Sequence, residues 1–288
     1  MRVVGVDADI IVYICCFVAK KQEENGVYLT WYQVSKIVDT VYNNVLLGSK
    51  ATHHLGFLTD SRSNFRVAVA KTLVYKGQRE NTEKPPFFSE VKHYLEKHWG
   101  CQMMRGVEAD DALVIAGEHF KTKGVDYIIA SKDKDLHQYP CEHFDMNKGK
   151  EHLFHISRKE AHRNLWEQVI LGDLPTDNIP GLTHAAQYMT TVEFNKKVRA
   201  PKDLTYGKTR ANSILDEVAP EDYARHILTL YIEEYDDVEY GLGERRFLET
   251  YTLVKLLTKA PKELKIHFNP LRVKRALLEF EDETNGDY

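Results

Sequence analysis

The chain is poor in cysteine, with four in 288 residues, and no two of them stand in a CxxC spacing. Neither a disulfide framework nor a zinc site is expected, which points to a reducing compartment. Long apolar runs are missing too. The longest near the start, IIVYICCFVA (10–19), is half the length of the ~20 residues a membrane span needs. Asp7 and Asp9 stand where a secretory leader needs basic charge, so no targeting segment is expected. The thirteen histidines include no HxxxH, and His53, His54, His152 and His155 read as surface or packing residues. Gly241 and Gly243 are too sparse for a nucleotide loop and read as a turn. Internal repeats, low-complexity linkers and a QxxLxxFF-like C-terminal tail are likewise absent.

A basic excess is also lacking, since 39 Lys and Arg face 43 Asp and Glu for a net charge of −4. That does not exclude a nucleic-acid enzyme, because local charge governs phosphate binding more than the total. Nine acidic residues are assigned to metal sites below, and without them 34 acids face the 39 bases. At 43% apolar and 28% charged residues, the composition is that of an ordinary globular protein expected to be cytoplasmic and monomeric.

What the chain does have is a crowd of carboxylates beside apolar runs. GVEADDALVIAGE (106–118) and IIASKDKDLHQ (128–138) place Glu108, Asp110, Asp111, Asp133 and Asp135 close together in sequence. Such groups repel one another, and a bound cation would resolve the conflict. RVVGVDA (2–8), HLGFLTD (54–60) and DYIIASKD (126–133) read as short strands, each reaching an acidic residue. A helix over WYQVSKIVDTVYNNVLL and another beginning at ALVIAGEHF separate them, so a mainly parallel sheet covered on both faces is expected. Ligands of such sheets bind outside the carboxyl ends of the strands, where these aspartates stand. On a helix Glu108 and Asp111 share a face, and Asp133 and Asp135 share a strand face if the strand reaches them.

Residues 71–100, basic, aromatic and broken by Pro85 and Pro86, read as a mobile or partly helical excursion from the sheet. From Ser157 a capping box with Glu160 opens a helical region, with further helices expected near 208–218, 220–232, 244–258 and 270–280. The acidic tail EDETNGDY is expected to fray. Magnesium and manganese prefer hard oxygen ligands, so a phosphodiester-cleaving centre needs carboxylates converging from several elements. Taken singly, Asp60 or Asp110 reads as a turn or N-cap residue, and Asp9 as local structure.

In combination, GVEADD, SKDKD and GDLPTDNIPGL resemble the 5′-nuclease family of flap endonucleases and 5′-3′ exonucleases, in particular its stand-alone phage and bacterial exonuclease and RNase H types. The resemblance runs from Val3 to about Leu215. It implies an α/β, Rossmann-like (PIN-like) fold over 1–156, with a helical arch near 71–100. A helical region (157–288) would follow, with a helix–three-turn–helix element over about 166–218. It also implies metal ligation by Asp7, Asp60, Glu108, Asp110, Asp111, Asp133, Asp135, Asp173 and Asp177, with two or more Mg2+ ions replaceable by Mn2+. VYKGQRE is similar to the family's YKGNR motif, which makes Lys76 and Arg79 catalytic phosphate contacts. Tyr75 or a neighbouring aromatic would stack on an unpaired base, and Lys84, Gly207, Lys208 and Thr209 would bind nucleic acid, with K+ at the hairpin element.

Two departures from the family pattern stand out. DLPTD places one more residue between Asp173 and Asp177 than the usual D-x-x-D. The loop is therefore expected to bulge and let Asp173 swing, leaving Asp177 the stronger ligand. Second, about twenty residues (near 183–205) separate NIPGL from YGKTRANSIL, so the duplex-binding hairpin is split. The implied substrates are 5′ ends, flaps and nicked or gapped DNA, and RNA in RNA–DNA hybrids. The competing readings are a PIN-like ribonuclease and a non-catalytic, structure-specific DNA-binding protein. The extra aspartates, YKGQR and DNIPG count against the first, and the full set of carboxylates against the second.

Overall fold

A computed structural model describes residues 1–79, 82–146, 152–182 and 206–273. The insertion 183–205, the tail 281–288 and Glu80 and Asn81 lie outside these residues. The chain divides into two compact units. The first comprises Met1–Asn64, Glu83–Ile156 and Leu256–Tyr288, the second Phe65–Thr82 and Ser157–Lys255.

In the first unit β1 (Arg2–Asp7) leads directly into α1 (Ala8–Glu24), then α2 (Trp31–Gly48) and β2 (His53–Asn64). After Glu83 come α4 (Phe88–Lys97), β3 (Gln102–Gly106), α5 (Ala109–Thr122) and β4 (Asp126–Ser131). A 3-10 helix (Lys134–Gln138), β5 (Glu142–Asp145) and β6 (Leu153–His155) follow, and β7 (Leu271–Arg272) returns from the C-terminal segment. The label α3 belongs to Phe65–Val69 of the second unit.

The sheet runs β3-β2-β1-β4-β5-β6, parallel except at β6, and β7 adds antiparallel to β2. The mainly parallel sheet read from the strand–helix alternation is present. The apolar run 10–19 is part of α1, which buries Ile11, Val12, Cys15 and Cys16. Side chains alternate along β1. Val4 and Val6 enter the core shared with α1, α2 and α4, while Gly5, on the other face, lies against Leu113 of α5. Successive connections place β2 on one side of β1 and β4 on the other. The strand order therefore reverses between β1 and β4, where doubly wound sheets open a ligand crevice.

Three expectations change. Residues 71–100 do not form one excursion: Lys71–Arg79 pack within the second unit and Phe88–Lys97 is a helix of the first. Of the helix expected over 270–280, Leu271 and Arg272 are instead a short strand paired with His54 and His53, and 274–280 lie outside the described residues. β4 stops at Ser131, so Asp133 and Asp135 share no strand face; Asp133 caps the 3-10 helix that contains Asp135.

The second unit is helical. Ser157 and Glu160 form the expected capping box of α6 (Arg158–Leu171). The further helices are α7 (Lys208–Asp216), α8 (Tyr223–Tyr235) and α9 (Leu242–Val254). They share a core built on Trp166, Val169, Ile170, Leu215, Ile227, Tyr231 and Phe247. The Tyr231 hydroxyl donates to the Val169 carbonyl at 2.8 Å, so this ring is buried without leaving its polar end unmatched. No helix among the described residues is long and apolar enough to cross a membrane.

Candidate active site

Asp7 closes β1 and starts α1, because its Oδ1 accepts from the Ile10 N–H at 3.3 Å. Its other oxygen accepts from the Ser131 hydroxyl at 2.7 Å, across the β1–β4 reversal. The Asp133 N–H in turn donates to the same hydroxyl at 2.9 Å, and the Asp133 carboxylate accepts from the Asp135 N–H at 3.0 Å. Asp7 is 3% exposed. Burial pushes its carboxyl up to about 7, with the nearby Asp9 and then Asp133 charges adding to the effect and the Ser131 and Ile10 bonds opposing it.

A second knot forms at Thr59, next to Asp60. The Thr59 N–H donates to Asp9 Oδ2 at 2.9 Å, its carbonyl accepts from Lys92 Nζ at 2.7 Å, and its hydroxyl accepts from the Ala109 N–H at 2.9 Å. Lys92 also lies 3.3 Å from Asp9 Oδ1. One strand residue thus ties together the starts of α1 and α5 and a lysine of α4. Asp9, read as local structure, is the α1 member of this knot. Asp60 is buried and pairs with Arg105 at 3.3 Å.

The α5 start carries the remaining carboxylates, where the helix dipole favours negative charge. Glu108 is the N-cap, and Asp110 and Asp111 lie in the first turn. Asp111 is fully buried and satisfied by two N–H groups, Glu108 at 3.2 Å and Leu257 at 3.0 Å. Six expected metal ligands, Asp7, Glu108, Asp110, Asp111, Asp133 and Asp135, therefore lie at or just beyond the carboxyl ends of β1, β3 and β4, and the seventh, Asp60, lies within β2, which runs four residues further than the strand read from the sequence. Among the described residues, no group of three or more His, Cys, Asp or Glu side chains is arranged to hold a metal ion. The donors available at this edge are hard oxygens, the type that suits magnesium.

The other expected residues belong to the second unit. Asp177 Oδ1 lies 2.8 Å from Arg79 Nη2, and its Oδ2 accepts from the Tyr75 hydroxyl at 3.0 Å and lies 3.4 Å from Lys76 Nζ. Tyr75, expected to stack on a base, has its ring buried against Ile179 and Leu253, so it packs instead. Lys76 adopts a left-handed backbone, φ 56°, and its N–H donates to the Asp177 carbonyl. Asn178 donates from its side chain to the Val74 carbonyl at 2.9 Å.

The extra residue in DLPTD does not free Asp173. Its N–H and carbonyl both bond to Ile179, and its carboxylate accepts from the Thr176 N–H at 3.2 Å. Below this closed loop Gly172 and Gly181 pack backbone to backbone, both at positive φ. A Cβ on Gly181 would stand 2.4 Å from the Leu171 carbonyl carbon. Gly207 is the N-cap of α7, Thr209 lies in its first turn, and Lys208 pairs with Glu167 at 3.1 Å. In the first unit Lys84 lies over the Phe88 ring at 4.9 Å.

Sequence reasoning missed Ser131, Thr59 and Lys92. The signal for the first two was a hydroxyl residue one or two positions before an aspartate that follows an apolar run. Lys92 left no such signal.

Comparison with protein families adds one decisive match. Residues 3–166 fit the model of the 5′-3′ exonuclease, N-terminal resolvase-like domain. The chain belongs to this family. The 5′-3′ exonuclease domain includes Asp7, Asp60, Lys76, Arg79, the α5 carboxylates, Asp133 and Asp135, whereas Asp173, Asp177 and Gly207 lie beyond it. Among solved structures, a lysine-to-alanine mutant of T5 5′-exonuclease superposes with a TM-score of 0.51 at 17% identity, over 88% of each chain. The bacteriophage T5 flap endonuclease in a pseudo-enzyme–product complex with DNA and metal ions gives 0.46 at 16%, over 88% of this chain and 99% of that one. T5 5′-exonuclease with bound zinc gives 0.47 at 17%, over 88% and 100%. At 17% identity the first of these, the T5 5′-exonuclease mutant, shows a likeness of fold alone. A comparison with curated protein sequences finds no significant relative.

Proposed function

We propose that the chain is a divalent-metal-dependent 5′ nuclease. It hydrolyses DNA phosphodiesters at 5′ ends, flaps, nicks and gaps, in replication or repair, and also RNA in RNA–DNA hybrids. The observation that carries this reading is the carboxylate cluster at the sheet's reversal point, where burial and the charges of Asp9 and Asp133 push Asp7 up to about 7. A divalent cation relieves such a cluster, and oxygen donors without Cys or His suit Mg2+, with Mn2+ in its place. Membership of the exonuclease family supports the same conclusion.

Asp7, Asp60, Glu108, Asp110, Asp111, Asp133 and Asp135 are the residues that would hold metal, with Asp173 and Asp177 added by the family resemblance. When bound, magnesium supplies Lewis-acid activation of water and neutralises charge that develops on the phosphate. Ser131 orients Asp7, and Thr59 holds the α5 start in register with Asp60. Lys76 and Arg79 donate to phosphate oxygens as negative charge builds, and Asp177 keeps both cations extended beforehand. Cleavage leaves a 5′-phosphate and a 3′-hydroxyl. The N–H groups that open α7, with Lys208 and Thr209, bind duplex phosphate, with K+ at the hairpin element.

The test is product mapping with magnesium on 5′-flap, nicked, gapped and RNA–DNA hybrid substrates, for the wild type and Asp111→Asn. Cleavage at 5′ branches that disappears in a folded variant is expected. No cleavage of any substrate in magnesium or manganese, or cleavage confined to single-stranded RNA, overturns the reading.

A further inference from the structure

The two cations assigned to the phosphate sit on a short segment that closes in a 3-10 turn (Gly77–Arg79), and a helix far along the chain holds its start. One face of α9 carries Arg246, Glu249 and Leu253, spaced three and four residues apart. Glu249 Oε1 accepts from two successive backbone N–H groups, Lys71 and Thr72, each at 2.7 Å. Its Oε2 accepts from the Thr72 hydroxyl at 2.7 Å. The Thr72 hydroxyl is itself held by Arg246, which donates to it. One turn further along α9, Leu253 packs on the Tyr75 ring. The buried Arg66 closes the arrangement by donating from Nε to the Leu253 carbonyl at 2.8 Å and from Nη2 to the Lys255 carbonyl at 3.2 Å. The opposite face of α9 is committed elsewhere, since Phe247 and Tyr251 stack with Trp166.

We propose that Glu249 is a positioning residue for Lys76 and Arg79, acting through the backbone of Lys71 and Thr72. This rests on the reading of Lys76 and Arg79 as phosphate contacts. Thr72 is four residues from Lys76; beyond it the chain is held by the turn closed by the Gly77 N–H on the Val74 carbonyl, by the Asn178 side chain on the same carbonyl and by the Lys76 N–H on the Asp177 carbonyl, so Glu249 fixes the entry to this segment and the Asp177–Asn178 loop its far end. A carboxylate that accepts two adjacent N–H groups and a hydroxyl fixes both the direction and the height of the chain entering that turn. Charge-assisted bonds of this kind are about twice as strong as neutral ones. Without them Lys76 and Arg79 remain paired to Asp177 but move with a longer, looser tether. A displacement of about 1 Å at a reacting phosphate is enough to slow chemistry by about a hundredfold.

The experiment uses the full chain with Glu249→Ala and Glu249→Gln. It measures the single-turnover cleavage rate on a 5′-flap duplex with magnesium, equilibrium binding of that duplex in calcium, and backbone hydrogen exchange of 70–79. Glu249→Ala is expected to slow single-turnover cleavage roughly tenfold to a hundredfold, to change binding less than about threefold, and to raise exchange over 71–79. Glu249→Gln keeps an oxygen for the two N–H groups and should recover most of the rate, an outcome that general unfolding would not produce. Unchanged exchange in Glu249→Ala shows that there is no anchor, and raised exchange with an unchanged rate shows that the anchor positions nothing catalytic; either overturns the proposal. A wild-type chain inactive on every substrate instead overturns the nuclease reading, and the exchange arm then still shows whether Glu249 holds the segment.

Discussion

Replacing Asp7 by Asn should make the metal-free protein more stable, and by an amount that depends on pH. The folded chain holds this carboxyl near 7 against 3.8 for an unperturbed aspartate, chiefly through burial and secondarily through Asp9 and Asp133. The folded state therefore binds the proton more tightly than the unfolded state. Stability is lost as pH rises from about 4 to about 7, and the full penalty applies above that. The difference corresponds to about 4 kcal/mol at pH 8 and about 2 kcal/mol at pH 5, where the buried group is already protonated. Asn preserves the geometry: Oδ1 still accepts from Ile10, and the Ser131 hydroxyl can rotate to accept from the new amide. The assay is urea unfolding in EDTA at both pH values, followed by the fluorescence of Trp31 and Trp99, the tryptophans of the first unit. Magnesium at pH 8 should stabilise the wild type and have little effect on the variant. Equal stability of the two proteins at pH 8 without metal, or a gain that does not shrink at pH 5, would refute the electrostatic account of this cluster.

Lys76→Ala and Arg79→Ala should each slow single-turnover cleavage by roughly tenfold to a thousandfold with the magnesium dependence unchanged, as for lost transition-state donors. A collapse of substrate affinity with unchanged chemistry would make them phosphate anchors only. Thr59→Val removes the acceptor for the Ala109 N–H, so urea unfolding should register a loss of about 1–2 kcal/mol. Its magnesium requirement for cleavage should rise with the misplacement of Asp110 and Asp111. Gly181→Ala forces a Cβ against the Leu171 backbone at a positive φ, and thermal unfolding should show a loss of more than about 2 kcal/mol. Asp177→Ala should demand much more magnesium or abolish structure-specific cleavage of a 5′-flap substrate. Asp173→Ala, which mainly loses the bond to the Thr176 N–H, should be the milder change in the same titration.

The sequence by itself determined the parallel sheet, Asp7 and Asp133 at the ends of β1 and β4, the α5 acidic cluster and the Ser157–Glu160 helix start. These are written in local signals: alternation, helical spacing, cap residues and short motifs, each read within a window of about a dozen residues. The tertiary structure decided what those groups bond to. Ser131 meets Asp7 across 124 positions and Glu249 grips Thr72 across 177, and neither pair leaves a mark in local pattern. The same is true of the assignment of Lys71–Arg79 to the helical unit, which composition alone presents as part of one loose basic stretch. Asp133 caps a 3-10 helix instead of continuing β4, with its N–H held by the Ser131 hydroxyl, and Tyr75 became a packing residue because Leu253 and Ile179 cover its ring. A side chain's role at this site depends on which distant backbone groups claim its polar atoms, and only folding brings those groups within hydrogen-bonding reach.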